Sequence, residues 1–157
     1  MDAVQRVQEI IKKIGRTPDK LIEILIEIQS SSDKHYVTEE ELQIVSNYLE
    51  IPLSKAYGVA TFYSMLSTKK RGKFVIQICN SAPCYLKNSK NIAETFEAIL
   101  GIEVGEVTKD GLFSLEYTSC IGACDIAPAV KINDDIYGEL NAEKIEKIIN
   151  DLRKEEM

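Results

Sequence analysis

The residues in this chain best suited to do chemistry are its four cysteines, Cys79, Cys84, Cys120 and Cys124. They form two close pairs, C-x4-C and C-x3-C, separated by 35 residues. A dithiol redox pair or a zinc knuckle more often sets its thiols two residues apart, as C-x-x-C. Each pair follows a stretch that reads as a β-strand, "KFVIQIC" for the first and "LFSLEYTSC" for the second, and is expected in a loop at the strand end. If those strands are neighbours, four thiols converge at one sheet edge, as a four-thiolate metal site requires.

Several chemistries compete for such a set. Four unrelated buried cysteines, or two local disulfides, are the plain structural readings. A structural zinc ion accepts four thiolates in a tetrahedron, usually from pairs near C-x2-C. A diiron cluster is a larger object with four outward thiolate positions, and looser pairs suit it. It is also a net anion and needs N–H donors around its sulfurs. Gly122 and Ala123 allow close backbone approach between the second pair, and Asn80, Ser81 and Ser119 are candidate donors. Lys87 would either offset charge there or be a plain surface lysine. The one histidine, His35, lies in a polar stretch far from the cysteines in sequence and reads as a surface residue.

The elements that must position these thiols fall into two textures. The chain has 157 residues, 45% apolar and 28% charged, which suits a folded globular protein and argues against disorder. A net charge of −6 argues against nucleic-acid binding. The short basic run Lys69-Lys70-Arg71 before Gly72 reads as a solvated linker. No apolar stretch approaches the roughly 18–20 residues of a membrane span, and the N-terminus lacks signal-peptide character. A cytoplasmic setting without direct membrane insertion is therefore expected, where cysteines serve metals or catalysis more than disulfide frameworks.

Residues 1–68 contain no cysteine and read as a bundle of four helices, followed by a linker at 69–72. Val4, Val7, Ile10, Ile11 and Ile14 fall at helical spacing before a stop at Gly15. Thr17-Pro18 predicts the start of a second helix through "LIEILIEIQ". Thr38 and Glu41 predict a capping box, with Val37 and Leu42 as its hydrophobic staple. A fourth helix is predicted from Pro52 through "AYGVATFYSML", with Phe62 and Tyr63 in its core stripe or at a partner contact. Residues 73–157 predict strand, helix, strand, strand, strand, helix: a small mixed sheet with flanking helices. Ser89 and Gly101 would bound the first of these helices; "AVKIN" and "IYGEL" would form a hairpin around Asp134-Asp135.

"CNSAPC" and "CIGACDIAPAVKINDDIYGEL" resemble the cluster motifs of the thioredoxin-like [2Fe–2S] ferredoxin family, and "IPLSKAYGVATFYSML" resembles the end of that family's helical extension. The resemblance spans about residues 5–153. It implies a helical bundle followed by a thioredoxin-like domain, an α+β/α/β chain, with one [2Fe–2S] cluster on Cys79, Cys84, Cys120 and Cys124. It also implies a small electron-carrying subunit docked to a larger subunit that binds FMN and NAD(P)H. The parent would be a respiratory NADH dehydrogenase, an NAD(P)-linked or bifurcating hydrogenase, or a formate dehydrogenase, with further iron–sulfur subunits. No G-x-G-x-x-G or phosphate loop appears in this chain, so hydride chemistry is expected on the partner. Thioredoxin-like folds commonly hold a cis proline before a strand, and Pro128 occupies that place. The alternative is a zinc-stabilised interaction module; a dithiol oxidoreductase fits less well, because neither pair is C-x-x-C.

Overall fold

Apolar residues at helical spacing make α1 (Ala3–Ile14), which buries Val7, Ile10 and Ile11 and stops at Gly15, φ +128°. In the computed structural model, which describes residues 3–32 and 34–156, the chain divides into two compact units, Met1–Arg71 and Gly72–Met157. The first continues with a 3₁₀ turn (Pro18–Lys20), α2 (Leu21–Ser30), α3 (Glu39–Leu49) and α4 (Leu53–Phe62). The Ile-rich "LIEILIEIQ" is helical, burying Leu21, Ile24, Leu25 and Ile28 as one stripe.

Thr17 does not open α2 directly. It precedes the 3₁₀ turn, where its hydroxyl donates to Asp19, and the α-helix begins only at Leu21. The Thr38–Glu41 capping box forms in full: Thr38 Oγ1 accepts Glu41 N–H at 3.2 Å, and the Glu41 carboxylate accepts Thr38 N–H at 2.8 Å. Val37 and Leu42 are both buried in the same cluster. The fourth helix is shorter than the sequence predicts and stops at Phe62. Tyr63 turns extended, Leu66 is buried, and the Gln29 side chain bonds Met65 C=O and Ser67 N–H at 2.8 and 2.7 Å. This tether to α2 competes with further helix. Phe62 is accordingly not core: it is 79% exposed, edge-on to a half-buried Tyr63.

The second unit contains β1 (Phe74–Cys79), α5 (Ala82–Leu86), α6 (Ser89–Leu100), β2 (Phe113–Thr118), a 3₁₀ turn (Cys124–Ile126), β3 (Val130–Ile132), β4 (Asp135–Tyr137) and α7 (Ala142–Lys154). The sheet order is β2-β1-β3-β4, with β1 parallel to β2 and the other pairs antiparallel. A parallel pair needs a crossover, and α6 lies within it. Phe74, Ile76, Ile78, Phe113, Leu115, Val130 and Ile132 share one core with Phe96 of α6 and Ile145 and Ile149 of α7.

Three local expectations change. The helix α5 carries no signal in the sequence, since five residues are too few for periodicity. The cap of α6 is Asn88, at φ +69°, while Ser89 is its first residue and is buried; asparagine tolerates the left-handed turn between two adjacent helices. In β2, Phe113, Ser114 and Leu115 are all buried while Tyr117 is exposed, because the strand runs past the core. Lys69 and Lys70 are exposed, but Gly72 is buried, and a Cβ there would lie 2.5 Å from Phe113 carbonyl carbon. Among the described residues no helix is long and apolar enough to cross a membrane.

Glu41 is the buried charge of the first unit, receiving Arg6 of α1 and both donors of Thr38. Glu41→Ala removes the anion and leaves the partly buried Arg6 unpaired, which costs about 3 kcal/mol. Urea unfolding of the full chain is expected to show this as a clear fall in midpoint, larger than that of Thr38→Ala, for which a loss of about 1 kcal/mol is expected.

Candidate metal centre

Parallel pairing fixes where the cysteines go. Cys79 is the last residue of β1 and stands opposite Thr118, the last residue of β2. The chain leaving β1 turns through Ser81 into α5, which carries Cys84. The chain leaving β2 reaches Cys120, turns at Gly122 (φ +82°), and enters the 3₁₀ turn that begins at Cys124. The first pair is thus not held in a plain loop: one member ends a strand and the other sits in a short helix.

The thiols form two close pairs near one another: the Cys124 charge acts on Cys84 and the Cys79 charge on Cys124. All are free. The Cys84 thiol donates to Cys79 Sγ, and Cys120 Sγ and Cys124 Sγ lie 3.5 Å apart. Ile121 N–H, from the second loop, donates to Cys79 Sγ in the first. Cys79 and Cys84 are buried with Ala129, whereas Cys120 and Cys124 are exposed. Among the described residues, no three His, Cys, Asp or Glu side chains gather closely enough to hold a single metal ion.

Backbone donors surround the sulfurs. Burial pushes the Cys79 thiol up, but Ser81 N–H, the Cys84 thiol, Ile121 N–H and the Ser81 hydroxyl outweigh it and hold Cys79 below its ordinary value. Burial raises Cys84 despite a hydrogen bond from Ala129 N–H, and the Cys79 charge raises it further. Cys124 is raised chiefly by its bond to Cys120. Gly122 N–H donates to Cys120 Sγ at 3.4 Å. The surroundings thus favour the thiolate at Cys79 and oppose it at Cys84 and Cys124, where like charge counts against ionising every thiol at once. A bound cationic centre resolves that conflict.

The segment beneath the second pair is held from the other side. Ala129 C=O accepts Cys79 N–H at 3.3 Å, next to a cis Ala127–Pro128 bond. Glu139 N–H bonds Ile126 C=O at 2.6 Å, and Gly138 lies so close that a Cβ there would be 2.5 Å from Ile126 Cδ1.

A family model described as thioredoxin-like [2Fe–2S] ferredoxin matches residues 7–153. The chain belongs to this family. Among curated relatives, an NADH-quinone oxidoreductase subunit of Rickettsia bellii (strain RML369-C) is 44% identical over 131 residues, covering 83% of this chain and 78% of the relative. Its counterpart in Rickettsia conorii (strain ATCC VR-613 / Malish 7) is 38% identical over 149 residues, covering 94% and 89%. Two crystal structures of NAD+-reducing [NiFe]-hydrogenase, air-oxidised and H2-reduced, share the fold with TM-scores of 0.74 and 0.76 at 21% and 22% identity. They cover 87% and 88% of this chain, which spans only 23% of the hydrogenase chain in each case. The chain is thus a thioredoxin-like [2Fe–2S] ferredoxin whose curated relatives are subunits of an oxidoreductase.

Of the polar donors suggested by sequence, Ser81 bonds sulfur, while Asn80 and Ser119 are exposed and so is Lys87. His35 is half-buried in the first unit, at φ +46°. Sequence reasoning missed Ile121 and Ala129, which act through backbone N–H groups, and Gly138, whose only signal was a glycine at the end of a strand. Gly138→Ala is expected to push Ile126 and cost about 1–3 kcal/mol. Adding Ile126→Ala makes room, so the double variant should lose less stability than the two single losses summed. Strict additivity in urea unfolding would count against the packing assigned to this pair.

Proposed function

We propose that this chain is an electron-transfer subunit in which Cys79, Cys84, Cys120 and Cys124 hold one [2Fe–2S] cluster, and that it exchanges single electrons with a larger subunit binding FMN and NAD(P)H. The observation that supports the reading is the placement of two close pairs of free thiols beyond the shared end of two parallel strands, with N–H groups donating to their sulfurs. The donor set fits the group. Four thiolates complete the usual ligation, and hydrogen bonds to sulfur suit an anionic centre. The looser C-x4-C and C-x3-C pairs suit a two-metal object better than a zinc ion, whose pairs are usually near C-x2-C.

When bound, such a cluster accepts and returns one electron at a time. What this chain contributes is position, burial and hydrogen bonding. Cys79 and Cys84 anchor the inner side, with Ser81, Ile121 and Ala129 donating to them. Cys120 and Cys124 form the outer side, where a partner can approach. Hydride chemistry belongs to the partner subunit on this reading, and the chain has no independent catalysis. The relatives' names support a nicotinamide-linked parent: a respiratory NADH:quinone oxidoreductase, or alternatively a hydrogenase or formate dehydrogenase complex, with the chain on its cytoplasmic side.

The test is anaerobic purification followed by measurement of iron, zinc and acid-labile sulfide, with an EPR spectrum after dithionite reduction. Two irons and two sulfides per chain with a reduced-state signal are expected. One zinc without sulfide would replace the reading with a zinc-stabilised module. Cys→Ser at each of the four positions should lower iron content or alter the spectrum. Ser81→Ala removes one hydroxyl donor from Cys79 Sγ. A neutral hydrogen bond is worth about 1 kcal/mol, and only its difference between the two redox states counts, so the midpoint potential should fall by no more than about 40 mV for a one-electron couple, with iron content unchanged.

A further inference from the structure

The two cysteine pairs differ in access. Cys79 and Cys84 are each 1% exposed and packed against Ala129. Cys120 and Cys124 are exposed, with sulfurs 3.5 Å apart across the Ile121-Gly122-Ala123 loop, whose turn is made by Gly122. A disulfide requires the sulfurs to close to about 2 Å, which side-chain rotation of two exposed residues supplies. The buried pair is hidden from any oxidant larger than water.

We propose that, in the chain before metal loading, Cys120 and Cys124 are a reversible thiol–disulfide modification site, and that their oxidation withdraws two of the four metal-binding sulfurs. The co-reactant is a low-molecular-weight disulfide of the glutathione class. Cys120 Sγ, which accepts Gly122 N–H, attacks as thiolate on one sulfur of that disulfide; the S–S bond breaks and one small thiolate leaves. Cys124 sulfur, as thiolate, then attacks the Cys120 sulfur of the mixed disulfide and expels the second small thiolate. Two protein thiols are oxidised to one disulfide, one small disulfide is reduced to two thiols, and the protons shed by the protein pass to the leaving thiolates. Reduction by a dithiol runs the sequence backwards. The inference rests on the four-thiolate reading for its consequence, though not for the chemistry of the pair itself.

The full chain, stripped of metal with chelator under reductant, is treated anaerobically with glutathione disulfide, alkylated after unfolding, and digested with trypsin. Cleavage after Lys73, Lys87, Lys109 and Lys131 puts Cys79 and Cys84 in one peptide and Cys120 and Cys124 in another. The expected result is loss of two of four titratable thiols, with the second peptide lighter by two hydrogens and the first fully alkylated. The Cys79→Ser/Cys84→Ser variant should still form the link, and Cys120→Ser should not. Iron and sulfide are then offered to reduced and oxidised chains. The oxidised chain should take up no cluster and recover after dithiothreitol. A link in the first peptide, a link between peptides, or no link overturns the site, and leaves the four-thiolate reading standing if the reduced chain loads two irons. A correct link on a chain that loads as well as the reduced one overturns the consequence, and with it the requirement for all four sulfurs. If neither chain loads, the four-thiolate reading fails, and with it the proposed consequence of oxidation.

Discussion

Parallel pairing of β1 with β2 is the constraint on which the second unit depends. Six residues pair in register, from Phe74 with Phe113 to Cys79 with Thr118. Parallel strands leave the sheet at the same edge, so both cysteine-bearing segments emerge side by side. The register also decides faces: a slip of β2 by one residue against β1 turns Phe113 and Leu115 out of the core. Core packing and thiol placement are therefore the same fact. A chain that buried its apolar face correctly could not misplace Cys79.

The rest of the site is fixed from the opposite flank. β3 runs antiparallel to β1, and Ala129 at its approach holds Cys79 through its carbonyl and Cys84 through its N–H. Gly138 and Glu139, beyond β4, pin Ile126 and so the turn begun by Cys124. The thiols are thus held from several strands, and the sheet acts as the common frame. Preorganisation of this kind matters for a charged centre, because donors already aimed at sulfur need no rearrangement when charge changes.

How far the sequence reveals this depends on the range of the interactions involved. The capping box at Thr38, the stop at Gly15 and the stripe of α1 are local patterns, and they form as read. The Ile-rich α2 is helical because Leu21, Ile24, Leu25 and Ile28, buried on one face, outweigh a weak strand preference. The failures are tertiary or too short. Phe62 leaves the core because Gln29 tethers the chain just beyond it, a contact 36 residues apart. Helix α5 has too few residues for a period. Spacing suggested that four cysteines act together, but Ile121 and Ala129 contribute only main-chain N–H groups, which no side-chain pattern encodes.

These backbone donors also tie electronic tuning to the fold. On the four-thiolate reading, reduction adds negative charge to a site already anionic, so every N–H on sulfur stabilises the reduced form more than the oxidised. Ser81 lies after β1, Ile121 after β2 and Ala129 before β3, and their N–H directions follow from those strand ends. Side-chain substitution at Ile121 or Ala129 leaves the donor in place; only a change in backbone path removes it. Ser81 differs, since its hydroxyl can be deleted while its N–H stays. The hydrogen bonding around such a centre is accordingly set mostly by backbone geometry, with one adjustable side-chain donor at Ser81.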